Sequence, residues 1–378
     1  MNSFDRFKEY FLRVQNITAV GVSTLIANGI SSIFLIYLAS LLGVEGFGEL
    51  GYLLAVIGVS GGVASLGTVN ALIVYVSKGE KIQATLFFIV LCSAIIVGIS
   101  SFIIFQNEAV AIYPLGYVIF SSVLFDLLGR KSFVNYGKIM VSQRIIMVTL
   151  ALLLYQQYGI YGIVLGYSLS FFPFTFLMYR GFKESKIDFS ILKGKMVFIR
   201  NNYLTHISKI INFNIDKLII FPLFGTAILG PYQLGFQIFI LVMLIPNTVL
   251  TYTLPHDVIG AKNLKLKKYA FLLSILITII TISLSPIIIP QILPQFEESI
   301  LIIQIMSLAF VPASLSILYS SELLGSERSR IVLIGTIISV LILSSGIILL
   351  GKDYGLLGIT IIFVIAKMAE FLFIYLKK

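Results

Sequence analysis

The sequence predicts an all-α integral membrane fold of about twelve spanning helices in two parallel six-helix repeats. Three observations lead there. Apolar runs recur from end to end. The basic residues alternate regularly with those runs. Short motifs return in order in the second half.

The 378 residues are 58% hydrophobic and 12% charged, with a mean hydropathy of +1.03. A soluble domain is nearer half apolar. A spanning helix needs roughly 20 mostly apolar residues to cross about 30 Å of hydrocarbon. Such runs leave no room for a soluble domain. The one cysteine, Cys92, lies inside an apolar run, which excludes a disulfide framework and a thiolate metal site. The opening residues 1–16 are charged and lack a compact apolar core with a cleavage site. They read as a cytoplasmic amphipathic lead-in.

Splitting at charges, Gly and Pro gives the spans in order. The first, 17–42, ends at Gly43-Val-Glu-Gly-Phe-Gly48. The second, 47–76, is longer than a straight crossing needs, and Ser60-Gly61-Gly62 predicts a bend in it. The third and fourth are 83–105 and 109–128, the latter closing on Asp126-Leu-Leu-Gly129. The fifth is 139–156, and the sixth, 160–179, opens at Tyr158-Gly-Ile-Tyr-Gly-Ile163. A basic segment follows. The seventh, 202–224, ends at Gly225-Thr-Ala-Ile-Leu-Gly230, and the eighth is 231–255. The ninth is 269–289. The tenth, 299–324, closes on Glu322-Leu-Leu-Gly325. The eleventh is 331–350, and the twelfth, 355–376, opens at Tyr354-Gly-Leu-Leu-Gly-Ile359.

With the N-terminus inside, cytoplasmic segments hold 23 of the 27 Lys and Arg, counting Arg130, Lys131, Lys138 and Arg144 together in the third of them. Outer loops hold Lys352 and several acids. This is the bias expected of cytoplasmic loops. It explains the net charge of +10 without nucleic acid and places both termini in the cytoplasm. The three motif pairs sit at corresponding helix ends, so residues 1–180 and 202–378 read as two six-helix lobes joined by a basic linker, 181–201. An even number of spans gives both halves the same orientation. Transporters built this way hold substrate between the halves.

The seventh span carries unusual polarity. At 100° per residue, Asn202, Thr205, His206, Lys209, Asn212 and Asp216 fall within a sector of about 120°, with Lys217 at its edge. A charge at mid-helix costs about 2.5–3.5 kcal/mol on insertion scales, so the stripe faces protein or water. It reads either as a buried network, with Asp216 paired to Lys209 or Lys217, or as the wall of a cationic cavity. The first span shows a weaker stripe of Arg13, Asn16, Thr24, Asn28 and Ser31. Arg13 reads as an interfacial anchor; Asn28 either lines a cavity or bonds a neighbouring helix. Asp126 and Glu322 read as salt bridges to Arg130 and Arg328 clamping the inner helix ends, or else as a cytoplasmic gate or proton site. Lys367 and Glu370 are spaced to pair.

No phosphate-binding G-x4-G-K-[ST] loop, HExxH or G-x-S-x-G motif occurs, and no outer loop is large enough for a catalytic site. The chain reads as a non-enzyme without cofactor or metal; a membrane-embedded glycosyltransferase, ligase or polymerase is the remote second class.

The stretches "LASLLGVEGFGELGYLLA" (38–55), "NFNIDKLIIFPLFGTAILGPYQLG" (212–235), "LLGSERSR" (323–330) and the paired "YGIYGI" and "YGLLGI" resemble the multidrug/oligosaccharidyl-lipid/polysaccharide exporter superfamily, in particular its polysaccharide (O-antigen-type) flippase branch. The resemblance covers essentially the whole chain. It implies two lobes in a MATE-like V that exchange inward- and outward-open states in the plasma or inner membrane. The implied substrate is an oligosaccharide on a polyprenyl (di)phosphate, and the implied partners are membrane lipid and polysaccharide-assembly enzymes around a monomer. In that frame Lys209 and Lys217 meet the diphosphate. His206 titrates near neutrality. Asn202, Asn212 and Asn28 bond sugar hydroxyls. Asp216 couples transport to H+ or Na+. The rival within the superfamily is a cation-coupled drug antiporter, whose cavity would be lined with acids.

Overall fold

A computed structural model describes residues 3–258, 264–325 and 328–377, with side chains described from Val20 onward apart from 245, 247–267, 270, 321 and 324–327. The predicted roles of Arg13 and Asn16, and part of the 323–330 motif, lie outside the described residues. The helices are α1 (Ser3–Ala64), α2 (Thr68–Ser77), α3 (Gln83–Phe105), α4 (Glu108–Gly129), α5 (Phe133–Leu169), α6 (Thr175–Glu184), α7 (Met196–Val258), α8 (Leu264–Ile292), α9 (Ser299–Ser307), α10 (Phe310–Gly325) and α11 (Ser329–Lys377).

Four of these are double-length. Each turns back at one glycine: Gly43 in α1, Gly159 in α5, Gly225 in α7 and Gly355 in α11. The angles repeat between halves. Gly43 and Gly225 stand at φ 68, ψ −174 and φ 79, ψ −176. Gly159 and Gly355 stand at φ 59, ψ −139 and φ 57, ψ −139. The first pair occupies a region open essentially to glycine alone. The turn is thereby confined to one residue, which leaves few backbone groups without a helical partner. Most of the twelve predicted spans are single helices or arms of these four; the second runs from the second arm of α1 into α2, the sixth from the second arm of α5 into α6, and the tenth is divided into α9 and α10.

One local prediction is corrected. Helix α1 runs straight through Ser60-Gly61-Gly62 and breaks at Leu66 and Gly67, with φ 46 and 69. Gly61 is small for packing instead: a Cβ there would lie 2.9 Å from the ring of Tyr117 and 3.0 Å from that of Tyr113.

Contacts group the chain into two compact units, 1–31 with 56–207 and 32–55 with 208–378. These group by contact, whereas the six-span halves group by repeat; α1 and α7 contribute to both units. In the first unit, α4 packs between α3 and α5. Small residues permit the approach: a Cβ on Gly98 would meet the Ala111 carbonyl at 2.7 Å, and one on Gly116 the Ser168 carbonyl at 2.7 Å. Leu86, Phe87, Val90, Val118 and Val123 fill the core. The basic segment 181–201 is docked onto this unit. Thr85 bonds both the N–H and the carbonyl of Asp188, Lys195 pairs with Glu80, and Leu192 is buried. The Ser190 hydroxyl and N–H hold the Asp188 carboxyl below the usual carboxylate range.

In the second unit, Tyr232, Phe236, Phe239, Phe310 and Phe363 form an aromatic core with Ile220 and Leu229. Residues 32–55 pack against it through Tyr52 stacked on Phe221 at 4.0 Å and Phe47 edge-on to Phe296. The two G-x4-G turns meet here. A Cβ on Gly48 would fall 2.5 Å from the Thr226 carbonyl, and one on Gly230 only 2.1 Å from that of Val44. Outside the cores the surface is strongly apolar, with Ile104, Leu341 and Leu349 largely exposed, as lipid-facing helices require.

Because the obstacle at Gly230 is backbone, Gly230→Ala is expected to lower unfolding stability by about 1–3 kcal/mol. Gly21→Ala, which meets nothing within 4 Å, is expected to be neutral or slightly stabilising. Thermal melts of the two detergent-solubilised variants check this; equal melts would contradict it.

Candidate functional site: charges within the spans

Helix α7 distributes its polar stripe over both units. At its start, in the first unit, Asn202 accepts from the Asn70 amide at 2.8 Å and donates to the Phe198 carbonyl at 2.8 Å. Gly67 lets α2 cross there, with a Cβ excluded by the Tyr203 backbone at 2.6 Å. Thr205 is exposed and His206 is half-buried. Asn202 thus holds a helix crossing, and Asn70 is its partner.

Further along, in the second unit, the stripe divides. Lys209 is exposed and makes no ion pair among the described residues. Asn212 is half-buried, and its side-chain oxygen is buried without a hydrogen-bond partner among the described residues. Asp216 and Lys217 lie in the core, 1% and 3% exposed. Lys217 Nζ donates to Asp216 Oδ1 at 2.8 Å and to the Phe213 carbonyl at 2.9 Å, and sits 3.4 Å from the centre of the Phe236 ring. Tyr232 Oη donates to Asp216 Oδ2 at 2.7 Å, and the Lys217 N–H to Asp216 Oδ1 at 2.9 Å. Both carboxylate oxygens and the ammonium of this pair are bonded within the protein. The expected cavity wall is, at these two residues, a closed ion pair inside the unit. Lys217, one residue on, takes the carboxylate because its long arm folds back over the preceding turn.

Around the predicted clamp, Asp126 is buried and bonded by Arg130 Nε at 2.7 Å and by the Gln83 amide at 3.2 Å. Arg130 also reaches Glu184 at 2.5 Å. A cavity of about 420 Å³ opens beside these residues, with Lys138 and Arg180 on its wall. The clamp therefore ties α4 to α6 as well as to its own end. At the corresponding end of the second half, Glu322 is half-buried, and Arg328 is exposed and donates to the Lys377 carbonyl at 2.7 Å. Lys367 pairs with Glu370 at 3.3 Å.

Arg144 needs the largest correction. Assigned above to a basic loop, it lies well inside α5, about 16 Å along the axis from Phe133. It continues the interior stripe of Tyr136, Met140, Met147 and Ala151, opposite the exposed Ile145 and Leu153. The predicted span 139–156 already contained it, and that was the signal to use. Asn28 is half-buried on α1, one turn beyond Thr24, whose hydroxyl contacts the Met140 sulfur at 3.9 Å.

No family model and no curated protein matches this sequence. Solved structures do. An inward-facing multidrug-resistance MATE transporter of the MOP superfamily is 16% identical over 93% of each chain, with a TM-score of 0.67. The lipid II flippase MurJ, in an inward closed conformation, is 13% identical over 95% of this chain and 87% of its own, with a TM-score of 0.79. A MOP superfamily transporter from Pyrococcus furiosus, described as having a binding pocket of reverse polarity, is 17% identical over 96% and 94%, at 0.63. The fold is that of these transporters and flippases, about twelve spanning helices in two lobes. The chain is a multi-pass membrane protein.

Removing one partner of a buried pair strands the other charge, at about 3–5 kcal/mol. Asp216→Asn is therefore expected to lower the melting temperature of the solubilised protein sharply. Asp216→Asn combined with Lys217→Met is expected to recover most of the loss. A double variant no better than the single one would show that the two residues act independently.

Proposed function

We propose that this chain is a flippase that carries a polyprenyl-(di)phosphate-linked oligosaccharide from the cytoplasmic to the outer leaflet by alternating access. The observation that carries the reading is the balance of charge within the spans. Asp216 is matched by Lys217 and Glu370 by Lys367, which leaves Lys209 and Arg144 as cations without an acidic partner among the described residues. An unmatched cation in hydrocarbon is retained at a cost and marks a substrate path by default. Such cations suit an anionic cargo, because each contact with a diphosphate is stronger in a low-dielectric cleft than in water. The fold shared with a lipid II flippase supports a lipid-linked cargo. The loop charge bias supports cytoplasmic termini in a plasma or inner membrane.

The second reading is a cation-coupled drug antiporter. It is favoured by the MATE relatives in structure and by the buried carboxylate of Asp216. In both readings Asp216 is the candidate for coupling to H+ or Na+, with Tyr232 and Lys217 bonded to its two oxygens.

Proteoliposomes separate the two. Translocation of a fluorescent polyprenyl-diphosphate oligosaccharide is expected, with no efflux of cationic dyes. Lys209→Ala is expected to slow translocation roughly tenfold, as loss of one charge-assisted contact does, at unchanged protein level. Dye efflux without lipid flipping would replace the proposal with the antiporter. If Asp216→Asn leaves the pH and sodium dependence of transport intact, coupling lies elsewhere.

A further inference from the structure

The first unit holds a cluster that the predicted site did not include. Arg144 lies between Gln143, which is tied through Ser170 to Tyr167, and Ile146, which packs in one cluster with Tyr113, Tyr117 and Tyr136. Tyr113 and Tyr117 stand one turn apart on α4, stacked at 5.9 Å and braced edge-on by Phe171. Gly61 makes room for both rings. Tyr167 comes from the second arm of α5. Its neighbour Ser170 is held by the buried Gln143 amide at 2.8 Å and donates back to the Tyr167 carbonyl at 2.7 Å. The aromatic walls are therefore fixed by packing and by backbone bonds.

The polar atoms inside these walls are under-used. Arg144 Nη1 reaches only the Met147 sulfur, at 3.8 Å, a weak acceptor. Among the described residues, the buried Arg144 Nε has no acceptor and the buried Tyr167 hydroxyl has no partner. Buried polar atoms are nearly always bonded, so each exception calls for a reason. An arginine at this depth is costly unless something answers it. No carboxylate in the described residues does so, and no aromatic ring lies under the guanidinium. Donors of this kind fit an anion with several acceptor oxygens.

The neighbouring helix adds a donor. Helices α1 and α5 both leave the basic end of the unit and are in register where Thr24 meets Met140. One turn further along each stand Asn28 and Arg144.

We propose that Arg144, with Tyr113, Tyr117 and Tyr167 around it and Asn28 in register beside it, forms an intramembrane site for a phosphate group. The planar fork of arginine matches phosphate oxygens bidentately, which a lysine cannot reproduce. Tyrosine hydroxyls and the Asn28 amide supply further donors. The assignment of the phosphate to a lipid-linked diphosphate rests on the function proposed above; the site itself does not.

The test uses the full-length solubilised protein and four probes: polyprenyl diphosphate, polyprenyl monophosphate, polyprenol and inorganic pyrophosphate. Wild type is expected to bind the diphosphate and not polyprenol. Arg144→Gln is expected to weaken that binding roughly tenfold or more, with Arg144→Lys between the two and Tyr167→Phe a few-fold weaker than wild type. Melting of the ligand-free Arg144→Gln protein is expected to match or exceed that of wild type. A purely structural arginine would instead lower it with binding intact. Diphosphate binding that Arg144→Gln retains within twofold overturns this site and leaves the flippase reading standing. Pyrophosphate binding lost in Arg144→Gln, with no binding of either polyprenyl phosphate, supports the site and removes the lipid-linked reading. Wild-type protein that binds none of the phosphate probes overturns the site.

Discussion

A charge placed in hydrocarbon must be answered by another group, and the interior of this protein is organised by that constraint. Lys217 shows it most completely. Its ammonium is held by the Asp216 carboxylate, a backbone carbonyl and the face of Phe236, while Tyr232 holds the far oxygen of the acid. Such an arrangement gains little net stability over a well-packed apolar one, but breaking it is costly. It therefore fixes the register of α7 within the second unit. Lys367 with Glu370, and Asp126 with Arg130 and Gln83, answer their charges the same way closer to helix ends.

The backbone is duplicated and the charges are not. Counting back nine residues from the matched turns at Gly43 and Gly225 reaches Phe34 in the first half and Asp216 in the second. Counting from Gly159 and Gly355 sets Arg144 against Val340, and Phe171 against Lys367. The glycine geometry is kept because the turn needs it in either half. The acid–acid correspondence of Asp126 and Glu322 is also kept, at helix ends where either residue can bond nearby cations. The ionisable residues deeper in the spans each lack a charged counterpart in the other half. They cannot be explained by what the repeat needs in order to fold.

Much of this was legible beforehand. Span lengths, helix-ending motifs and loop charges gave the twelve helices because lipid permits so few other backbones. The glycines of the turns were found as motifs, and the structure adds that their conformation recurs to within a few degrees at φ in the second pair. Other features needed three dimensions. Gly61 looked like a bend because glycine weakens helices, yet it serves the rings of Tyr113 and Tyr117. Angular counting put Asp216 and Lys209 on one face but carried no information on depth, so it could not show that the stripe passes from a helix crossing at Asn202 into the core of the second unit. Arg144 was hidden by the loop count, which grouped it with Lys138 in a basic segment. A count that balanced so well absorbed a span residue without strain.

The division between answered and unanswered charges also assigns roles. Asp216 and Lys217 already satisfy each other, so a substrate anion that engaged Lys217 would have to displace the carboxylate and uncover both groups. That exchange loses about as much as it gains. Lys209, exposed on the same helix, and Arg144, with a buried N–H unanswered, can bind an anion without undoing anything. Under the proposed function the buried pair is better suited to coupling, because a small cation engaging Asp216 would loosen Lys217 from it. Under the proposed function, cargo recognition and energy coupling would fall on different residues, the first on cations left free by the fold and the second on a pair the fold has closed.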